Sequence, residues 1–261
     1  MALPRGSSRV HTPKAAFTLV EVLLTIALLA ILVAILLPAL GHTVRSARSF
    51  RCQMSLRSIA FDFQVFADPQ LHGDRGHDEE LGRTRFRAET FQESQYGIDE
   101  FWRWGDDLTH TVPDASGADP MRCAEVRGPL TLLKDTPCYS GAISPSQNVS
   151  YGFNLRLHIA EVWTGGKVKA QKVILGADIV AHQLLPLAWD VDGQAAYEKD
   201  ANPVFSAPAM GSKFVFAGDR YWFPAMRHNR AANFAFADGH VVASARPLDE
   251  PGWLWSYQPV K

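Results

Sequence analysis

From Phe17 to Leu40 the chain reads FTLVEVLLTIALLAILVAILLPAL, 24 residues interrupted by a single charge, Glu21. At about 1.5 Å per residue, a helix of that length crosses the roughly 30 Å hydrocarbon core of a bilayer. Beyond Leu40 the pattern changes rather than stops. Apolar side chains recur mostly three or four residues apart at Val44, Ala47, Phe50, Met54, Leu56, Ile59, Phe63 and Phe66, while Arg45, Arg48, Arg51 and Arg57 take other faces. Asp68-Pro69 then ends the run. The two patterns predict one helix from Phe17 to Ala67, about 75 Å long, apolar over 17–40 and amphipathic over 41–69. The arginines fit a solvated face that also meets lipid head groups.

From Gln70 to Asp119 the chain becomes polar and glycine-rich, and it is expected to be irregular. The run HGDRGHDEELGRTRFR holds His72, Asp74, His77, Asp78, Glu79 and Glu80, but its spacing matches neither a metalloprotease helix nor an EF-hand loop, so a solvated loop is expected. Phe101-Trp102-Arg103-Trp104 is expected to pack against the stem or the head core. The remainder reads as short strands between turns. They are Val149 to Leu157, His158 to Trp163 with Lys167 to Ile174, Leu184 to Trp189, Lys213 to Ala217, and Phe234 to Ala237 with His240 to Ala245. The Thr164-Gly165-Gly166 and Asp238-Gly239 junctions are hairpin signals, because glycine accepts the positive φ of a type I′ turn. Residues 70–261 are thus expected to form one α+β head built on an antiparallel sheet.

The 261 residues leave roughly 220 outside the leader and membrane stretch, ample for a hydrophobic core. The formal net charge is −1, and without the basic leader it becomes −4, with 23 basic against 27 acidic residues. Nothing there points to nucleic acid. Residues 1–16 carry Arg5, Arg9 and Lys14 and no acidic residue, which favours a cytoplasmic N-terminus and an exported head. Of three cysteines, Cys123 and Cys138 are close enough to constrain a loop; Cys52 with Cys123 is the rival pairing, and the sequence does not choose between them.

A carboxylate in a membrane helix costs about 2.5–3.5 kcal/mol on insertion scales, so Glu21 calls for a partner. A cut after Ala16 leaves the α-amino group of Phe17 one helical turn from Glu21, placed to neutralise the Glu21 of a neighbouring copy. The run Lys14-Ala15-Ala16-Phe17-Thr18-Leu19-Val20-Glu21 resembles the processing site of type IV prepilins and type II secretion pseudopilins, with Ala16 where that family usually has glycine. The resemblance implies that a prepilin peptidase removes residues 1–16, that Phe17 is N-methylated and that Glu21 serves filament assembly. It also places Pro38 where the family often has a helix-kinking proline. Cys52-x-x-x-Leu56-Arg57-x-Ile59 resembles part of the stem helix of one pilin-like group, with Ser55 in place of its asparagine.

Near the C-terminus His228 is followed by nine residues and Asp238-Gly239. This resembles the C-terminal signature of a group of bacterial prepilin-like proteins, as do Ser150-Tyr151-Gly152-x-Asn154 and Trp189-Asp190. Phe234, Phe236 and Val241 are expected to face a hairpin core, with His228 bonding to the turn or to Asp190. A metal site drawn from His228, Asp190, Asp238 and His240 is the rival reading; such donors suit zinc or another transition ion. No nucleophile and base pair is visible, so no catalytic residue and no cofactor is expected. The chain is expected to be a single-pass inner-membrane subunit, its head in the periplasm or at the cell surface. Its expected partners are copies of itself or related pilin-like subunits and the prepilin peptidase. The alternative is a membrane-tethered enzyme or binding module with its site near His228 and Asp238.

Overall fold

The computed structural model describes residues 18–71, 81–82, 84–96, 110–112, 122–126, 128, 130–132, 143–144 and 146–258. The chain divides into two compact units, 1–46 and 47–261.

Helix α1 runs from Leu19 to Ala67. Its start is fixed by a capping box: the Glu21 carboxylate accepts from the Thr18 amide at 2.9 Å, and Thr18 Oγ1 accepts from the Glu21 amide at 3.3 Å. Its end matches the Asp68-Pro69 stop, with Asp68 Oδ1 turning back to the Gln70 amide at 2.7 Å. Pro38 lies inside α1 and withholds one backbone donor from the ladder. The apolar side chains between Leu19 and Leu40 are exposed, and this helix is long and apolar enough to cross a membrane.

The buried stripe of α1 is narrower than the sequence pattern predicts. It is Cys52, Leu56, Ile59, Ala60, Phe63, Phe66 and Ala67, whereas Val44, Phe50 and Met54 are exposed. Phe50 sits two residues before Cys52, about 200° round the helix, so it cannot share that face. Phe63 and Phe66 pack edge-on against Phe86, at 5.9 and 5.3 Å between ring centroids, and Phe63 packs edge-on against Phe91 at 5.1 Å. Each such ring contributes roughly 1.5–3 kcal/mol by leaving water.

Those partners correct the expectation of an irregular stretch. Strand β1 (Arg85–Phe86) and helix α2 (Ala88–Tyr96) lie within it, because Phe86, Ala88 and Phe91 form an apolar face that the α1 aromatics cover. Lys172 reaches Glu89 of α2 at 2.8 Å, and Tyr96 donates to Asp62 of α1 at 3.0 Å. Burial, with the Asp62 charge beside it, pushes the Tyr96 hydroxyl well above the usual phenol range, so it stays a donor. The His72 to Glu80 cluster and the Phe101 to Trp104 cluster lie outside the described residues.

The short strands β2 (His110–Val112), β3 (Leu130–Leu132) and β4 (Ile143–Ser144) form an antiparallel sheet of their own. The central sheet uses β5 (Tyr151–Asn154), β9 (Pro186–Asp190), β10 (Phe205–Ser206), β11 (Ala232–Phe236) and β12 (Val241–Ser244) in the order β10-β5-β9-β11-β12. It is antiparallel except for the β10–β5 pair. All five residues of β11 and of β9 are buried, so both faces are covered and no polar alternation appears. On one side Trp189, Phe234, Trp253 and Trp255 form an aromatic cluster. The segment predicted as one strand from Val149 to Leu157 is β5 followed by a 3-10 turn at Leu155–Leu157, which Asn154 caps.

The β6 (Ile159–Thr164) and β7 (Lys167–Lys172) hairpin forms as the sequence indicates, with Gly165 and Gly166 at φ of 59° and 77°. Strand β8 (Leu175–Gly176) pairs with β1. Helix α3 (Gly193–Glu198) is capped by Asp192, which accepts from the Gln194 and Ala195 amides. Lys213 to Ala217 is not a strand. The Glu161 carboxylate, from β6 and more than 50 residues earlier in the chain, gathers the Ser212 hydroxyl and the Val215 amide at 2.6 Å each, and this long-range bonding holds the segment in turns.

Candidate functional site

Two places carry the sequence-predicted residues. The first is the start of α1. Ala16 and Phe17 lie outside the described residues, Glu21 is in the first turn bonded to Thr18, and Pro38 lies farther along the same helix. Glu21 is the sole charge between Leu19 and Leu40.

The second is a buried polar clasp between α1 and the central sheet. The disulfide joins Cys52 of α1 to Cys123, which decides between the rival pairings; Cys138 lies outside the described residues. His228 Nε2 stands 3.3 Å from Cys123 Sγ and 3.4 Å from Asp190 Oδ2 at the end of β9. Asp190 Oδ2 in turn accepts from the backbone and side-chain N–H groups of Asn233 at 2.8 and 2.9 Å, and Gln53 of α1 donates to Asn233 Oδ1 at 3.0 Å. Polar contacts thus run from Gln53 through Asn233, Asp190 and His228 to the disulfide, and so back to α1 one residue away. Cys52, Cys123, Asp190, Asn233 and His228 are all buried.

The local sequence explains the placement. His228 and Ala231 exchange backbone hydrogen bonds at 3.1 and 3.0 Å across Asn229 and Arg230, both at positive φ, so the chain doubles back immediately before β11. Arg227 bonds to the Val191 carbonyl and holds the approach. The Ser150-Tyr151-Gly152-x-Asn154 run feeds the same place. Ser150 Oγ accepts from the Cys123 amide at 2.7 Å, and the Tyr151 hydroxyl donates to the Cys52 carbonyl at 3.1 Å. A side chain at Gly152 would meet Val191 at 2.6 Å and the Pro203 carbonyl at 2.8 Å. Asn154 Nδ2 donates to the Pro186 and Trp255 carbonyls at 2.8 and 3.0 Å.

The four residues considered for a metal do not converge. His228 and Asp190 meet before β11, whereas Asp238 and His240 pair with each other in the loop after it, His240 stacking on Phe236 at 4.2 Å. That loop is not the type I′ turn expected of Asp-Gly. Gly239 alone has positive φ, at 94°, and its amide bonds back to Phe236. A type I turn closed by a glycine is the common longer alternative. The loop faces Gln64, 3.0 Å from where a side chain at Gly239 would stand, across a groove lined also by Arg57 and Phe61. The disulfide, Gln53, Asn233 and Tyr151 were not singled out as one site by the sequence, since 180 residues separate Gln53 from Asn233.

A family model described as the prokaryotic N-terminal methylation motif matches residues 12–37. The chain carries that methylation motif. The motif covers Phe17, Glu21 and most of the apolar part of α1, and with the membrane-length helix it supports a membrane-anchored, pilin-like subunit. No curated protein and no solved structure matches the chain.

Proposed function

We propose that the chain is a structural subunit of a type IV pilus-like or type II secretion pseudopilus-like assembly. The observation that carries this reading is the methylation motif laid over the membrane-length apolar stretch of α1, Leu19 to Leu40, whose sole charge, Glu21, lies in the first turn. Prepilin peptidase cuts after Ala16, and the freed amine of Phe17 is methylated. The apolar half of α1 packs among copies of the chain or related subunits, with each Glu21 neutralised by a neighbour's N-terminus. The N-terminus faces the cytoplasm across the inner membrane and the head is exported. The work is assembly, driven by apolar packing and one charge pair, with no covalent chemistry by the subunit. His228 and Asp238-Gly239 serve the head structurally: His228 joins the clasp and the Asp238-Gly239 loop seats against α1.

The test is the mass of the N-terminal peptide from protein recovered from cell membranes. A methylated Phe17 is expected; an intact Met1, or a cut beyond Leu40, overturns the proposal.

A further inference from the structure

We infer that Cys52, Cys123, His228 and Asp190 bind one divalent ion of the zinc class when the disulfide is open, and that disulfide formation closes this site.

The argument is geometric. Tetrahedral zinc, with bonds of about 2.3 Å to sulfur and about 2.0–2.1 Å to nitrogen or oxygen, sets ligand atoms apart by roughly 3.5 Å for sulfur to nitrogen and roughly 3.3 Å for nitrogen to oxygen. His228 Nε2 already lies 3.3 Å from Cys123 Sγ and 3.4 Å from Asp190 Oδ2. The two sulfurs and a His228 ring nitrogen all fall within 4.8 Å of one another. Once the sulfur–sulfur bond is broken the thiolates separate to about 3.7 Å, and Asp190, which lies beside His228 but outside the close cluster of Cys52, Cys123 and His228, moves toward the sulfurs to take the fourth position.

The surroundings also suit an ion. Asp190 Oδ1 and His228 Nδ1 are buried and have no hydrogen-bond partner, while His228 Nε2 faces Cys123 Sγ and Asp190 Oδ2. Glu125 Oε1 lies 3.9 Å from His228 Nδ1, a carboxylate beside the ring nitrogen that an ion on Nε2 leaves free. Asn233 fixes the Asp190 carboxylate with two donors. A pair of thiolates with imidazole and carboxylate selects zinc over magnesium or calcium, which prefer oxygen alone.

The two states exchange by a balanced step. A dithiol reductant gives two electrons and two protons to the Cys52–Cys123 bond and is itself oxidised to a disulfide; the two thiols then release their protons to solvent as the ion binds. Either state fastens the same turn of α1 to the same loop.

The test uses the full chain in detergent with Cys138→Ser, so that only these two cysteines remain. The probe is cobalt(II), added to the protein reduced by a phosphine. About one cobalt per chain is expected, with thiolate charge-transfer and tetrahedral d–d absorption, displaced by zinc and missing from the oxidised protein. His228→Ala and Asp190→Asn should each weaken binding by about tenfold or more, and Glu125→Gln by about tenfold. Because His228→Ala leaves a cavity, His228→Cys is read beside it and should retain a tetrahedral thiolate spectrum. Absence of these bands in the reduced chain overturns the inference. So does their survival at unchanged affinity in both His228→Ala and Asp190→Asn, or their persistence in urea.

Discussion

Gln53 of α1 and Asn233 of β11 meet through a 3.0 Å hydrogen bond, and Asn233 gives its backbone N–H and one side-chain N–H to Asp190. Asn233 is thus the hinge of the clasp, answering the helix with its oxygen and the carboxylate with its nitrogen. Asn233→Ala should cost about 2–3 kcal/mol, because it leaves a buried carboxylate short of a donor, whereas Gln53→Ala should cost about 1 kcal/mol. Urea unfolding of both single variants and the double variant checks this, and a coupling of about 0.5 kcal/mol or more is expected.

Gly152 and Gly165 separate packing from backbone conformation. Gly152→Ala forces a methyl into Val191 and the Pro203 carbonyl, and a loss of about 2–3 kcal/mol is expected. Gly165→Ala meets open space and suffers only its positive φ, so about 1 kcal/mol is expected. The two denaturation midpoints, measured side by side, should fall in that order.

His158 makes the head acid-sensitive. Its ring is buried edge-on against Phe205 at 5.0 Å, neither ring nitrogen has a hydrogen-bond partner, and burial, helped by the Lys172 charge, lowers its pKa to about 3. The unfolded chain takes up the proton at its ordinary value of 6.5 and the folded chain does not. Stability is therefore full above pH 6.5 and is lost progressively as pH falls toward 3. Between pH 7.5 and 5 the loss from this residue should be about 2 kcal/mol. His158→Leu should remove that part of the slope, read as the difference between the two urea-unfolding profiles.

Glu21 caps α1, and substitution separates that observed task from the charge pairing proposed for assembly. Glutamine keeps a side-chain acceptor for the Thr18 amide and loses the charge; alanine loses both. If assembly uses the charge, Glu21→Gln and Glu21→Ala should both lower incorporation into filaments by about tenfold or more, since an unpaired buried partner costs about 3 kcal/mol. Incorporation of Glu21→Gln at the wild-type level would leave Glu21 as a cap alone.

The helix, its stop and the hairpin at Gly165-Gly166 were legible because each depends on neighbours within a few residues. Lys213 to Ala217 misled because its alternation of Phe214 and Phe216 imitates a strand, while the groups that decide its shape, led by Glu161, come from another hairpin. Helix α3 has a cap signal in Asp192 ahead of Gln194, Ala195 and Ala196, but six residues give too short a period to stand out in the sequence. The head's signature residues were visible as a pattern, but not what they touch. His228 and Asp238 share a sequence motif and part company in space, because β11 runs between them, and the partners of His228 come from chain segments 38 and 105 residues earlier.

Among the described residues, every buried position of α1 falls between Cys52 and Ala67, and the disulfide is at the N-terminal edge of that span. Tension applied through the membrane half of the helix therefore meets a covalent bond before it meets the aromatic contacts of Phe63 and Phe66. Those contacts can peel one at a time only after the bond has parted. With the bond in place a pull on the helix passes into the head at Cys123 and bypasses those contacts; with it open, they take the load first.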